Sequence, residues 1–360
     1  MNLLHISGKK DWGGGENQLL LTLKGLKNYN NINQFFLCPT NSAIYFKVKE
    51  NLKQLKVYNS KKEMNLDPRF MYSIFSIVKK EKIDTIHVHD PDAHTLVIIA
   101  IDLFKLKVNV VLHKKTVFPL RKKKLTLYKY NHKSIKHIVC VSRASSDVMK
   151  EGITIIPISV IHDAIEIEDF TPKFSRDNDL FTILNVANHT EFKNLFTLLE
   201  IAHQCIYVHK LPFKFIQVGH GSISLTQELI RKRDELKLQD FFEFKGFVEN
   251  VYTSYKSSNA FLFTSAKEGL GVSLLEAIKF KLPIVSSNVG GIPELIEHNK
   301  NGLLCDFNDV EGYIENLKKI FKSNELAKNF TQVAYEKVKN EFSLQVMCDK
   351  LIDIYNQNER

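Results

Sequence analysis

The chain lacks any run of about 18 or more apolar residues. Its most apolar stretch, Thr95 to Phe104, is short and carries Asp102. That excludes an ordinary membrane-spanning helix. The opening residues, Met1 to Gly8, have neither the basic flank nor the long apolar segment of a secretory signal, so a cytosolic protein is expected. Cysteine is scarce: Cys38, Cys140, Cys205, Cys305 and Cys348 lie far apart, with no C-x-x-C pair and no histidines at zinc spacing. They read as buried, reduced thiols. No internal repeat or low-complexity tract appears. What remains is ordinary globular composition: 360 residues, 44% hydrophobic and 25% charged. At about 150 residues per domain, this length suggests two domains.

Acidic residues are sparse in one half. Residues 1–166 carry 27 Lys and Arg against 14 Asp and Glu, and the rest carry 23 against 26, so the net charge of +10 arises in the first half. Such asymmetry points to a negatively charged partner: a membrane surface, nucleic acid or a phosphorylated substrate. The densest part, Lys114 to Lys136, holds nine basic residues and no acid, with Leu120, Leu125, Leu127, Tyr128 and Tyr130 interleaved.

Along the chain, short apolar runs alternate with helical patterns. Asn2 to Ser7, Gln34 to Cys38, Thr85 to His89, Asn109 to His113 and His137 to Val141 read as strands, and Glu16 to Leu26, Phe70 to Lys80 and Thr95 to Phe104 as helices. Alternation of this kind means βαβ units and a mostly parallel sheet covered on both faces. The same pattern restarts after Pro172, with strands at Phe181 to Val186, Phe213 to Val218, Phe241 to Phe244, Ala260 to Phe263 and Pro283 to Ser286. The fold class is therefore α/β, two doubly wound domains facing across a cleft. The boundary is expected between Glu166 and Asp179. The domains are placed at residues 1–168 and 169–340, with 341–360 as a terminal helix packing back on the first. Ligands of such sheets bind outside the carboxyl ends of the strands.

The segment richest in chemistry is Ser265 to Ala277. An apolar strand runs into a loop with Glu268, Gly269 and Gly271, and a helix starts near Val272 or Ser273. Glycines allow close backbone approach to a ligand, and a helix N-terminus offers free N–H groups to phosphate. Glu268 precedes the helix and Glu276 lies within it, so two carboxylates are available to sugar or ribose hydroxyls while the amides between them hold a diphosphate. A capped helix after a tight turn explains either glycine alone, but not the acid pair.

Glu268, seven residues and Glu276, within EGLGVSLLEA, resemble the E-x7-E motif of the retaining glycosyltransferases of family 4. The resemblance continues in order over nearly the whole chain. WGGGENQLL (Trp12 to Leu20) is similar to the family's N-terminal glycine loop, VIHDAIEIEDF (Val160 to Phe170) to its interdomain segment, and NVANHTEFKNL (Asn185 to Leu195) to its phosphate loop. QVGHGS, KGFVENV and SSNVGGIPELIEHNKNGLL follow in place. The resemblance implies the GT-B fold and transfer of a sugar from a nucleotide sugar to an acceptor hydroxyl with retention.

By that resemblance Glu268 would contact the hydroxyls of the transferred sugar and Glu276 the donor ribose, with the amides of Gly269, Leu270, Gly271 and Val272 on sugar and phosphate. Lys193 would balance the departing diphosphate, the kind of charge stabilisation that dominates many catalysed reactions. Gly14 and Gly15 would lie under the donor phosphate or the acceptor, although three successive glycines also suit a plain flexible turn. Gly219 belongs to the donor side. His113, at the end of the strand Asn109 to Leu112, would face the donor sugar. His87, His89 and His94 invite a metal, but no carboxylate pair is arranged around them. The resemblance implies no metal or other cofactor, and no D-x-D triplet is needed. The donor is expected to be a UDP-sugar ahead of a GDP- or ADP-sugar.

Three positions depart from the family pattern. Asn188 stands where an arginine is usual, Asp163-Ala164 where Asn-Gly is usual, and His220 where an acid often lies between the glycines. The first removes a positive charge from the phosphate site.

The basic first half fits a glycan or lipid-linked acceptor, as in lipopolysaccharide or capsule synthesis, and peripheral docking on an anionic membrane through Lys122, Lys123 and Lys124. A lysine-rich solvated face is the plainer reading. A nucleic-acid-binding module would use the same residues, yet it leaves the acid pair unexplained and lacks a recognition motif; nucleic acid is not expected as a partner. An epimerase of the same fold would release an altered sugar nucleotide, and a phosphorylase would need orthophosphate.

Overall fold

The computed structural model describes residues 1–121, 123–153, 155–167 and 180–357. The chain divides into two compact units. The first comprises Met1–Glu166 with Phe342–Arg360, and the second Ile167–Glu341.

In the first unit the strands are β1 (Asn2–Ile6), β2 (Asn33–Pro39), β3 (Lys56–Ser60), β4 (Thr85–Val88), β5 (Asn109–Lys114), β6 (Ile135–Cys140) and β7 (Ile158–Val160). They form one parallel sheet in the order β3-β2-β1-β4-β5-β6-β7. Successive side chains of a strand point to opposite faces, and each face is buried under its own helices. Leu4, Ile6, Phe35 and Leu37 meet Phe70, Ile74, Leu96 and Val97 of the helices Pro68–Lys80 and Pro91–Phe104. On the other face Leu3, Val111 and Val139 meet Leu26 together with Met347, Leu351 and Tyr355 of the closing helix Leu344–Gln357. That helix completes the core of the first unit, which is why the chain's last segment belongs to it.

The second unit repeats the plan with β8 (Phe181–Val186), β9 (Phe213–Val218), β10 (Phe242–Phe244), β11 (Ala260–Phe263), β12 (Ile284–Ser287) and β13 (Leu303–Cys305), in the order β10-β9-β8-β11-β12-β13. Phe213, Phe215, Phe242, Phe261 and Phe263 are fully buried in it.

Three strands have no counterpart in the sequence reading: β3, β7 and β13. All three lie at sheet edges. Lys56–Ser60 is half-solvated and its apolar run is broken, while β7 and β13 are only three residues long.

In each sheet the connection order reverses beside the first strand, between β1 and β4 and between β8 and β11. The loops leaving those strands diverge to opposite faces and open a crevice at the carboxyl ends. Asp90 ties the first crevice: its carboxylate caps the helix Pro91–Phe104 by accepting from the amides of Asp92 and Ala93, and also accepts from Gly8 N at 2.7 Å.

Candidate active site

In the second unit Lys193 and Glu268 meet beyond the carboxyl ends of β8 and β11, and Glu276 lies in the helix that follows. Beyond β8 the chain runs through buried Ala187 and exposed Asn188 to a single 3-10 turn, Glu191–Lys193. Beyond β11 it passes Thr264 and Ser265 to half-buried Glu268. Ala266 N donates to Phe192 O at 2.8 Å, and the Thr264 hydroxyl lies 3.1 Å from Lys193 O. The two loops are thereby stitched together, and Lys193 Nζ comes to 2.5 Å from Glu268 Oε2. The ammonium also sits 5.0 Å from the centre of the Phe263 ring.

The helix Val272–Lys279 begins where expected. Its N-cap, Gly271, has φ +104, a left-handed conformation that glycine adopts without strain. Leu274 N donates to Gly271 O at 2.9 Å, while Val272 and Ser273 begin the helix directly after the loop that carries Glu268, where opening amides suit a phosphate. Gly269 and Leu270 are buried just before it. Gly290 braces Glu268 from the next loop. A Cβ there would fall 1.9 Å from Glu268 O, and Gly291 N donates to that same oxygen at 3.2 Å.

Glu276 lies within the helix and accepts a hydrogen bond from Tyr255 Oη at 2.9 Å. Burial pushes its carboxyl up to about 7, against the opposing pull of the Tyr255 bond and the Lys279 charge. Tyr255 is itself fully buried and stacks on Phe280 at 5.5 Å. The sequence reading missed Tyr255; an aromatic with a polar tip between a loop and a strand carries no distinguishing pattern.

A second omission is the polar platform beneath the β8 loop. Buried His189 contacts Thr226 Oγ1 (2.8 Å) and Gln217 Oε1 (2.9 Å), and Gln217 Nε2 donates to Ala187 O at 2.8 Å. This network pins the backbone that presents Asn188. Gly219, after β9, donates its amide to Gly246 O at 2.9 Å. His220 packs edge-on against exposed Phe247, with ring centres 5.5 Å apart.

In the first unit the glycines differ from the loop expected of them. Only Gly13 is extended, as N-cap; Gly14 and Gly15 are the first residues of the helix Gly14–Leu26. Lys115 Nζ donates to Gly15 O at 2.8 Å, and burial lowers the pKa of this lysine. His113 lies within β5, which runs one residue further to Lys114, and is buried with no hydrogen-bond partner on either ring nitrogen. The structure joins His87 and His89 with His5 and His113, whereas His94 stands apart against Tyr130. Burial lowers the pKa of His5, His87, His89 and His113, which keeps them neutral.

The basic stretch does not form one patch. Lys114 donates to Phe118 O and Lys129 to Thr95 Oγ1, while Lys133 and Lys136 flank the start of β6, at the sheet end opposite the exit of β5. Arg121, Lys123 and Lys124 are exposed together with Leu125, which is 79% exposed; Lys122 lies outside the described residues. Of the interleaved apolar side chains, Leu120 and Tyr130 pack on the core, and Tyr128 donates to Asp102 Oδ2 at 2.8 Å. Among the described residues, no helix is long and apolar enough to cross a membrane.

Two family models match consecutive parts of the chain: Glycosyltransferase Family 4 over residues 12–169 and Glycosyl transferases group 1 over residues 166–337. The chain belongs to glycosyltransferase family 4. It is a nucleotide-sugar glycosyltransferase of GT-B fold. This transferase is 24% identical over 313 residues to the Escherichia coli UDP-Gal:alpha-D-GlcNAc-diphosphoundecaprenol alpha-1,3-galactosyltransferase, covering 80% of this chain and 79% of that one. It is 28% identical over 200 residues to the amylovoran biosynthesis glycosyltransferase AmsD of Erwinia amylovora, covering 55% of this chain and 54% of that one. A crystal structure of Anabaena HepE in complex with UDP and glucose has a TM-score of 0.85 at 17% identity, covering 99% of this chain and 100% of that one.

Proposed function

We propose that the transferase moves a sugar from a UDP-sugar to a hydroxyl of a lipid-linked or glycan acceptor, with retention at the anomeric carbon and without a metal, in cell-surface glycan synthesis. The observation that carries this is the contact between Lys193 and Glu268 just before the helix Val272–Lys279, in which Glu276 lies. An ammonium and free helix amides suit a diphosphate, and the flanking carboxylates suit sugar and ribose hydroxyls. The E. coli relative's name specifies UDP-Gal and a diphosphoundecaprenol acceptor, and the HepE structures hold UDP, glucose or UDP-glucose; both favour UDP in this site.

In the proposed step Glu276 holds the ribose and Glu268 the transferred sugar. Lys193, with the amides of Leu270, Gly271 and Val272, stabilises the negative charge that grows on the diphosphate as the glycosidic bond breaks. Such charge stabilisation acts most strongly in the transition state. His113 is assigned to the donor sugar, with its neutral ring able to donate one hydrogen bond. Asn188 supplies a neutral side chain where the phosphate loop usually carries a cation, so Lys193 bears more of the charge.

Thermal melting with UDP-, GDP- and ADP-sugars tests the donor. A ligand at 100 times its Kd stabilises by about 2.7 kcal/mol, so the UDP-sugar should raise Tm by several degrees. Stabilisation by GDP- or ADP-sugars alone would overturn the choice of UDP. Anomeric analysis of the product by NMR tests retention.

A further inference from the structure

We propose that His5, His87 and His89 form a site for one divalent transition-metal ion of borderline softness, zinc by preference, inside the first unit. The inference does not depend on the sugar-transfer reading.

Strand geometry alone brings these residues together. His5 of β1 pairs directly with His87 of β4, so both project from the same face of the sheet. His89, two residues beyond His87, projects from that face as well. One nitrogen from each ring lies within 4.8 Å of the other two. His5 Nδ1 and His89 Nε2 are 2.9 Å apart. Nitrogens bound at about 2.0–2.1 Å to a tetrahedral zinc are roughly 3.3–3.4 Å apart. Small ring rotations therefore suffice.

The surroundings also suit a metal, which would replace the proton shared between His5 Nδ1 and His89 Nε2. All three rings are at least nine-tenths buried, and His87 Nε2, the nitrogen left over once Nδ1 meets Tyr355, has no hydrogen-bond partner. Buried polar atoms are nearly always satisfied, so this nitrogen calls for an occupant. Burial holds the rings neutral, the form that ligates metal. Tyr355 Oη sits 2.6 Å from His87 Nδ1. A polar group on the ring's other nitrogen is the usual outer-shell support of a metal-bound histidine. A set of three imidazoles without thiolate selects zinc, copper or nickel over magnesium or calcium. Lys115, nearby, opposes added positive charge and limits affinity.

The test uses untagged, metal-stripped full-length protein. Zinc titration followed by desalting should leave one equivalent bound, with a rise in Tm. Cobalt should give the intense visible bands of a tetrahedral site without a thiolate charge-transfer band. Tyr355→Phe should weaken zinc about tenfold, and His5→Gln with His89→Gln should abolish retention. Folded wild type that retains no zinc overturns the proposal, as does a thiolate band or undiminished retention in the double variant. Should the double variant not fold, the wild-type cobalt spectrum and Tyr355→Phe decide alone. Tyr355→Phe with wild-type zinc affinity then counts against the site.

Discussion

Lys193 and Glu268 form an ion pair of 2.5 Å, although one leaves β8 and the other β11 and they stand 75 positions apart in the chain. The residue proposed to meet the diphosphate and the residue proposed to meet the sugar thus hold each other before any donor arrives. A donor must loosen this contact, and the two charges then face its two halves. The side chains are 24% and 16% exposed, so the pair contributes only about 1 kcal/mol to stability.

Lys193→Ala should therefore lower kcat on the order of 10²-fold while moving Tm by only a few degrees. Because each residue is the other's partner, Lys193→Ala combined with Glu268→Gln should cost less than the sum of the two single changes. Steady-state kinetics with the preferred donor and a melting series check both statements. Wild-type turnover in Lys193→Ala would remove the lysine from the mechanism.

Donor affinity should depend on pH through Glu276, whose carboxyl is pushed up to about 7 by burial. The ribose hydroxyls donate to the ionised form, so affinity should rise from pH 6 to 8 and level off above. Glu276→Gln should flatten that profile and weaken binding at pH 8. The stability effect has the opposite direction. A carboxyl whose folded pKa is raised holds its proton in the folded state over the range from about 4.5 to about 7, so stability falls as pH rises through that window. Glu276→Gln should remove this fall, which is on the order of 1–3 kcal/mol. Isothermal titration with the sugar nucleotide and denaturant melts at pH 5, 6, 7 and 8 separate the two effects.

Gly290→Ala should be severe for its size. The new methyl carbon would sit 1.9 Å from Glu268 O, on a residue with φ +56. Relief requires the loop to move, and with it the backbone that carries Glu268. A loss of roughly 2–4 kcal/mol of stability and a fall in kcat are expected together. Gly246→Ala supplies the contrast: its φ is +67, but nothing lies within 4 Å of the added carbon, so only the conformational strain of about 1 kcal/mol should appear.

The parts legible in sequence were those with local causes. Central parallel strands are continuous apolar runs, so β1, β8 and β11 stood out, and the loop after β11 announced itself through Gly271 and the two glutamates. Edge strands such as β3 and β13 did not: partial solvation breaks the run of the first, and the second is only three residues long. The contacts between distant segments were invisible for a different reason. Register places His5 beside His87, and packing places Tyr255 on Glu276; neither leaves a spacing signature. The glycines at 13–15 misled in the other direction: composition suggested a loop, yet two of the three start a helix, where an N-terminal turn tolerates them.

The exposed basic segment leads to the last prediction. Lys123 and Lys124 open the helix Lys124–Tyr130, and Arg121 and Leu125 stand exposed beside them. Each cation near an anionic surface contributes about 1 kcal/mol, and an exposed leucine can enter the headgroup boundary. With several of the nine basic residues turned inward or placed at the other sheet end, docking rests on few charges and should be weak and salt-sensitive. Changing Lys122, Lys123 and Lys124 to Glu replaces three attractions by three repulsions, so binding to anionic vesicles should vanish at low salt. Raising salt should reduce wild-type binding toward the same level as screening shortens the reach of each charge. Donor binding should survive, because Lys193, Glu268 and Glu276 belong to the second unit and His113 is not among the changed residues, whereas transfer to a lipid-linked acceptor in vesicles should fall with docking. Leu125→Ser should weaken docking with little change in its salt dependence, which separates the apolar contribution from the ionic one. Cosedimentation with vesicles at low and high salt measures all of this. Equal pelleting of wild type and the triple variant would favour a soluble acceptor.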